Sequence, residues 1–203
     1  MSTKELPSEL PDVDLSGLAS KDPTNDYELQ HEGYDNHLRI FPERPGPEPT
    51  ITGEEPQEQL DQLGPEDLWD ELVRRANELP GVSEHDSVIS VKGARAFWLD
   101  KDKIKGPKDA LIMETEFAHI HPRPDSSWHL QLPHALTVLA ISAGWGRIHS
   151  VVWFGDAPAN SMMLYSPRNE EEMEVVWSLV EESYRYATGQ PQQFRIEPRI
   201  VAK

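Results

Sequence analysis

The sequence predicts an α+β fold in which an antiparallel sheet of about five or six strands packs with about three helices. Short segments rich in β-branched and aromatic residues follow one another across tight turns, as do strands that pair with their sequence neighbours. Segments with apolar residues at helical spacing frame these strands and do not alternate with them one by one. The pattern therefore favours an antiparallel sheet over a parallel βαβ sheet.

Start and stop signals mark three predicted helices. These helices lie within residues 64–81, 132–144 and 169–189. A proline stands near the first turn of the first two, where its missing N–H costs nothing. The third opens at Asn169 with Glu172 three residues later, which resembles a capping box, and ends close to Gly189. The first and third segments carry apolar residues at helical spacing, whereas the second has the profile of a mostly buried helix. We expect the helices to cover one face of the sheet.

The predicted strands form two local hairpins and two further strands. The segments are 87–91 with 94–99, 115–121 with 126–132, and then 148–153 and 162–165. Lys92-Gly93 separates the first pair, and a turn around Pro122-Arg-Pro-Asp125 separates the second. Both connections are short enough for antiparallel hairpins.

Charge and proline content divide the 203-residue chain into an acidic leader over residues 1–63, a folded domain over 64–195 and a tail over 196–203. Residues 1–67 contain 17 Asp and Glu against 4 Lys and Arg, a net charge of −13 out of −17, and 9 of the 18 prolines. Such a composition buries too little apolar surface to offset its ordering entropy. We expect a partly disordered leader in which only residues 27–41 lie against the domain.

Composition also excludes several classes of function. The chain has no cysteine, which excludes disulfides, zinc–thiolate sites, iron–sulfur clusters and thiol nucleophiles and leaves histidine and carboxylate as the reactive groups. No segment supplies the basic surface that nucleic acid requires. No signal-peptide core and no run of eighteen apolar residues occurs, so we expect a cytoplasmic protein without membrane attachment. Nothing in the sequence indicates an oligomeric state.

Three of the eight histidines lie within eleven positions, at His119, His121 and His129. Side chains alternate along a strand, so Phe117, His119 and His121 are predicted to share one face. If the loop is the five residues 122–126, His119 lies opposite His129, and directly opposed residues share a face with Cβ atoms roughly 5 Å apart. The register therefore predicts a cluster of three imidazoles.

The opposite face of the same two strands is apolar, as a core face should be. It carries Ala118, Ile120, Trp128, Leu130 and Leu132. Both strands sort consistently into a polar and an apolar face, which supports the register, because a slip of one residue would scatter the histidines.

The histidine cluster has three interpretations that the residues alone leave open. The first is a polar face without chemistry. The second is a metal site, with His119, His121 and His129 as ligands of a divalent ion and Glu114, Glu116 or His149 as possible further ligands. The third is proton transfer, because neighbouring imidazoles shift one another's pKa values and can keep one ring as a neutral base.

Several separated motifs in the same region are collinear with a known family. They are Ala118-His119-Ile120-His121, His129-Leu130, Gly144-Trp145-Gly146, His149, Tyr165 and Pro167-Arg-Asn-Glu-Glu-Glu172. Over roughly half its length, from about Ser87 to Gly189, the chain resembles the luciferase domain of bioluminescent fungi and their many non-luminous relatives. The resemblance implies an oxygenase that needs no cofactor. Fungal luciferase adds dioxygen to 3-hydroxyhispidin, and a strained peroxide then loses carbon dioxide to give caffeylpyruvate and light.

For this chain the resemblance implies a non-luminous relative that uses dioxygen as co-substrate on a planar enol, pyrone or phenolic small molecule. Forming the enolate would require a base, and the resemblance assigns that role to His119 or His129. His121 and His149 would orient the substrate or stabilise charge. Two other classes stay open, a non-catalytic small-molecule binding module of the same fold and a histidine-ligated metalloenzyme.

Four further residues are assigned to substrate binding. Arg168 would anchor an anion, Trp145 and Tyr165 would form a flat aromatic wall, and Gln131 shares the face of His129. Each of the first two has a structural alternative. Arg168 can pair with Glu170–Glu172 beside the helix start, and Trp145, between two glycines, can fill the core.

Overall fold

The computed structural model describes residues 42–53 and 55–193. The helices are α1 (Glu66–Asn77), α2 (His134–Ser142) and α3 (Glu170–Thr188), and the strands are β1 (Val82–Asp86), β2 (Arg95–Leu99), β3 (Glu116–Ile120), β4 (Trp128–Gln131), β5 (Gly146–Ile148) and β6 (Ser161–Leu164). The six strands form one sheet in the order β1-β2-β3-β4-β6-β5, and every neighbouring pair is antiparallel. This architecture confirms the predicted α+β class.

The residues that were predicted to begin and end the helices lie at the helix ends in the structure. In α3 the Asn169 side chain accepts a hydrogen bond from the Glu172 N–H at 2.9 Å, and Gly189 ends the helix with a φ of 67°. The predicted stripe of α1 is buried at Leu68 and Leu72. None of the helices in the described part of the chain is long and apolar enough to cross a membrane.

The core lies between one face of the sheet and helices α1 and α3. Phe97 stacks on Trp128 with 5.4 Å between ring centroids, and Ile120 and Leu130 are buried beside them. Each such side chain contributes about 1.5–3 kcal/mol by leaving water. This apolar face fixes the register of β3 and β4, because a slip of one residue would turn it away from the helices.

Two predicted strands lie elsewhere than the sequence indicated. The first strand of the first hairpin is Val82–Asp86, whereas residues 87–91 belong to the connection, with Val88 69% exposed. The mistake arose because β1 is an edge strand with one sheet neighbour, so it needs no β-branched run. The strand predicted over 148–153 ends at Ile148.

The chain leaves the sheet after Ile148 because a local hydrogen bond competes with strand pairing. Nδ1 of His149 accepts from the Val151 N–H at 3.2 Å and caps the 3₁₀ turn Ser150–Phe154. The turn brings His149 back over the sheet.

Residues 42–53 and 55–63, here called the strap, lie against the domain. The Arg44 N–H donates to the Ala143 carbonyl at 2.8 Å, and the Gln59 N–H donates to Oδ1 of Asp125 at 3.1 Å. Sequence analysis assigned these residues to the leader. The earlier part of that leader, with the expected contact of residues 27–41, and the tail lie outside the described residues.

Candidate functional site

The predicted register of β3 and β4 is confirmed. His119 lies opposite His129, and the His121 N–H donates to the Ser127 carbonyl at 2.8 Å, which closes the five-residue loop 122–126. The three rings cluster with centroid separations of 5.8 Å (119–121), 5.0 Å (119–129) and 4.5 Å (121–129). All three side chains are buried, at 4% exposure or less.

His149 joins the cluster from the 3₁₀ turn after β5. Its ring stands perpendicular to His129 with 4.1 Å between centroids. The site therefore holds four imidazoles from three separate segments of the chain.

A β-bulge changes the predicted alternation at the start of β3. Phe97 pairs with Ala118 but Trp98 pairs with Glu116, so Phe117 is the extra residue. Phe117 was predicted on the histidine face, and this is wrong: it packs in the core, edge-to-face with Tyr184 at 5.9 Å. The bulge turns Glu116 towards the histidines instead, and its Oε1 lies 2.7 Å from Nδ1 of His119.

A second carboxylate lies behind His121. Oδ2 of Asp125 is 2.5 Å from its Nδ1, while Oδ1 accepts from the backbone N–H groups of Gln59 and Ser127. Two backbone donors therefore hold Oδ1 in place and leave Oδ2 facing His121. Trp69 of α1 donates its Nε1–H to the His121 carbonyl at 2.8 Å and so ties the strand end to the helix.

Burial controls the charge of the site. Desolvation, reinforced by neighbouring imidazoles, lowers the pKa of His119 and of His149 to about 3 and the pKa of His129 well below its ordinary value. Burial raises the pKa of the Glu116 carboxyl to about 7. All these shifts favour neutral groups, so His119, His129 and His149 offer lone pairs rather than positive charge at neutral pH.

The four histidines line one pocket of about 210 Å³. Gln131 lines it from β4, and Glu55 and Gln57 line it from the strap. The described lining includes acidic side chains but neither lysine nor arginine. The volume is below that of pockets for drug-sized ligands, so we expect an occupant of one or two rings.

Comparison with known proteins agrees with this site. Residues 114–183 match the luciferase domain family. This segment belongs to that family. The chain is 30% identical over 171 residues to a luciferase of Armillaria gallica and 30% identical over 169 residues to one of Neonothopanus nambi. Each alignment covers 76% of this chain but only 64% and 63% of the relative, so the chain spans less than two thirds of their length. No solved structure is significantly similar to the chain.

The segment that matches the luciferase family includes all four histidines with Glu116, Asp125 and Gln131. Gln131 is the one predicted substrate-binding residue that lines the pocket. Its Nε2 donates to Ser161 Oγ at 3.0 Å, and its buried Oε1 has no hydrogen-bond partner among the described residues. An acceptor of this kind suits a substrate hydroxyl.

The other three residues that were predicted to bind substrate lie outside the pocket lining. Arg168 pairs with Glu172 and donates to the Pro45 carbonyl at 2.7 Å. The Trp145 indole donates to the Pro42 carbonyl at 2.6 Å and its ring is in the core. Tyr165 is fully buried under Arg44. Their contact with a substrate stays a prediction.

Sequence reasoning missed three groups of the site. Asp125 was treated only as a turn residue, although its position four residues after His121 on a tight loop was a usable signal. Glu55, which accepts a hydrogen bond from Ser150, and Gln57 come from the strap. No local signal relates these strap residues to histidines more than 60 positions away.

Proposed function

We propose that this chain is an oxygenase that adds dioxygen to a planar enolic small molecule, such as a hydroxylated pyrone or phenol, in the histidine-lined pocket. One observation carries the proposal. His119 Nε2, His129 Nε2 and Gln131 Oε1 are buried without a partner among the described residues, and all three side chains line the same pocket. Buried polar atoms are normally hydrogen-bonded, so this set suits a polar ligand.

The chemistry begins with removal of the enol proton. A neutral imidazole accepts it, or a cation held by the imidazoles lowers the enol pKa so that a weaker base suffices. The enolate carbon then gives an electron pair to dioxygen, a C–O bond forms, and the distal oxygen takes up a proton as a hydroperoxide. The net reaction adds one O2 to one substrate, and no external reductant is required.

His149 supports the charge that develops. Its Nδ1 accepts a hydrogen bond from the Val151 N–H, so the neutral ring carries its proton on Nε2 and can donate it to an oxyanion. Ile112 and Val151 supply apolar wall around these polar atoms. A nearly dry pocket of this kind strengthens each hydrogen bond to the enolate.

Oxygen uptake with a panel of hydroxypyrones tests the proposal on the full chain. We expect consumption of one O2 per molecule of one panel member and no consumption of its O-methylated analogue, which lacks the enol proton. His129→Asn should lower kcat by about 100-fold or more. Gln131→Leu should mainly raise KM, because it removes an acceptor that binds substrate and transition state alike.

His85→Ala is the matched control, since His85 lies on the exposed edge strand away from the pocket and should leave turnover unchanged. Tight binding of a hydroxypyrone without oxygen uptake under any condition would contradict the proposal. That outcome would identify the chain as a binding module.

A further inference from the structure

Three of the four imidazoles present the same nitrogen to the pocket. The Asp125 carboxylate accepts two backbone N–H groups on Oδ1, which leaves Oδ2 as the acceptor for the Nδ1–H of His121. Oε1 of Glu116 lies 2.7 Å from Nδ1 of His119, so Glu116 in its ionised form accepts the Nδ1–H of that ring. With Nδ1 occupied by a carboxyl group behind each ring, the Nε2 lone pair of both rings is free.

His129 completes the set of three. Its Nε2 is buried without a partner in the described part of the chain, and its ring centroid lies 5.0 Å from that of His119 and 4.5 Å from that of His121. A carboxylate behind a ring, as at His119 and His121, is how proteins orient histidines as metal ligands.

His149 has the opposite tautomer. Since its Nδ1 accepts the Val151 N–H, its Nε2 carries a proton and has no lone pair for a cation. The cluster therefore divides into three ligands and one hydrogen-bond donor.

From this division we propose that His119, His121 and His129 bind one divalent first-row transition-metal ion through Nε2. The inference deepens the proposed function, on which its catalytic meaning rests. One nitrogen of each ring lies within 4.8 Å of one nitrogen of the other two. An ion at the centre of such a triangle is at most about 2.8 Å from each nitrogen, so bonds of about 2.1 Å need ring movements of less than about 1 Å.

The charged side chains around the pocket favour binding of a cation. Glu116 and Asp125 lie behind the histidines, and the described lining adds Glu55 and Asp156 but no lysine or arginine. An enolate entering this space would meet no lysine or arginine in the described lining. A divalent ion with open coordination positions would offset the buried negative charge and bind the enolate oxygen.

This inference departs from the metal-free chemistry that the family resemblance implies. A base and a ligand use the same Nε2 lone pair, so the two roles exclude one another at His119 and His129. A carboxylate behind a ring orients Nε2 and raises its basicity, which serves a ligand and a base equally. The convergence of three imidazoles on one space is what favours the ligand role.

Cobalt titration of the chelator-stripped full chain tests the proposal, because Co²⁺ in a histidine site absorbs visible light. We expect absorption bands that saturate at one equivalent and are reversed by Zn²⁺. His121→Ala and His129→Ala should each weaken Co²⁺ binding by at least about 100-fold, since each removes a ligand. Circular dichroism of each stripped variant checks that it is folded.

Two controls use described histidines outside the pocket lining. His85→Ala and His134→Ala should each bind Co²⁺ as tightly as the unaltered chain. Failure of the unaltered chain to bind Co²⁺ or Zn²⁺, or binding that survives in both ligand variants, would overturn the metal site. If the stripped chain then still consumed oxygen with a hydroxypyrone, the proposed oxygenase function would hold without a metal ion. Saturable Co²⁺ binding without oxygen uptake by any metal-loaded form would support the metal site and refute the proposed oxygenase function.

Discussion

Asp125→Asn tests whether the carboxylate behind His121 decides which ring nitrogen is available. Asparagine keeps an oxygen at the position of Oδ1, where the backbone N–H groups of Gln59 and Ser127 donate. It then places an NH2 group, a donor, against Nδ1 of His121. The ring can satisfy that donor only by moving its own proton to Nε2, which removes the lone pair that would bind the ion.

The size of the effect follows from the alternatives open to the variant. If the tautomer changes, the ion loses an oriented ligand, and loss of such a supporting carboxylate costs 10- to 100-fold in metal affinity, or about 1.4–2.7 kcal/mol. If the amide instead rotates to face His121 with its oxygen, two backbone donors lose their acceptor, at about 0.5–1.5 kcal/mol each. Both routes give a loss of about 1–3 kcal/mol, so a 10- to 100-fold weaker Co²⁺ affinity is expected on either one.

The assay is the Co²⁺ titration, with Asp109→Asn as the matched control. Oδ2 of Asp109 lies 3.2 Å from Nε2 of His134, so the control makes the same chemical change at a histidine–carboxylate pair outside the pocket. It should leave Co²⁺ affinity unchanged. A folded Asp125→Asn protein whose Co²⁺ affinity stays within about twofold of the unaltered chain would refute the tautomer argument.

Three further predictions follow from other contacts. His149→Ala should keep Co²⁺ affinity but lower oxygen uptake by about 100-fold, because it removes a donor to the enolate and no ligand; equal losses of both would contradict this. Burial raises the pKa of Tyr165 to about 12, above its unfolded value near 10, so the unfolded state releases the proton first and stability falls from pH 10 towards 12. Tyr165→Phe should remove that fall, at most about 3 kcal/mol in urea melts, and a parallel decline in both proteins would count against it. Gly146→Ala would place Cβ in a clash with the Met163 carbonyl oxygen and should lower unfolding free energy by about 1–3 kcal/mol. Gly53→Ala, whose Cβ would meet no described atom beyond its chain neighbours, should change it little, and equal stability of the two variants would exclude the clash.

The part of the site that sequence reasoning predicted correctly depends on local geometry. A loop of five residues and strict alternation suffice to bring His119, His121 and His129 together, since both features involve neighbouring residues of one hairpin. The position of Glu116 could not be found this way, because a bulge adds one residue to β3 and reverses the alternation before it. The edge strand β1 was missed for a related reason, since pairing, not composition, defines it.

The contribution of the strap could not be predicted because its contacts join residues far apart in sequence. An acidic, proline-rich segment shows no period that would relate Gln59 to Asp125, 66 positions later. Its backbone nevertheless supplies one of the N–H groups that hydrogen-bond to the carboxylate behind His121.

The strap and the domain contribute different parts of the pocket, and this difference affects which substrate the pocket accepts. The segment that matches the luciferase family, residues 114–183, contains every proposed ligand and both carboxyl groups behind them, so the donor atoms belong to the family segment. Glu55 and Gln57 of the strap lie before that segment yet line the same pocket. Changes in the strap therefore alter the wall that a substrate contacts while the three Nε2 atoms stay in place. We expect exchange of strap residues to change which enol is accepted, with Co²⁺ stoichiometry constant, because ligand geometry is set by the hairpin and substrate fit by the chain that lies across it.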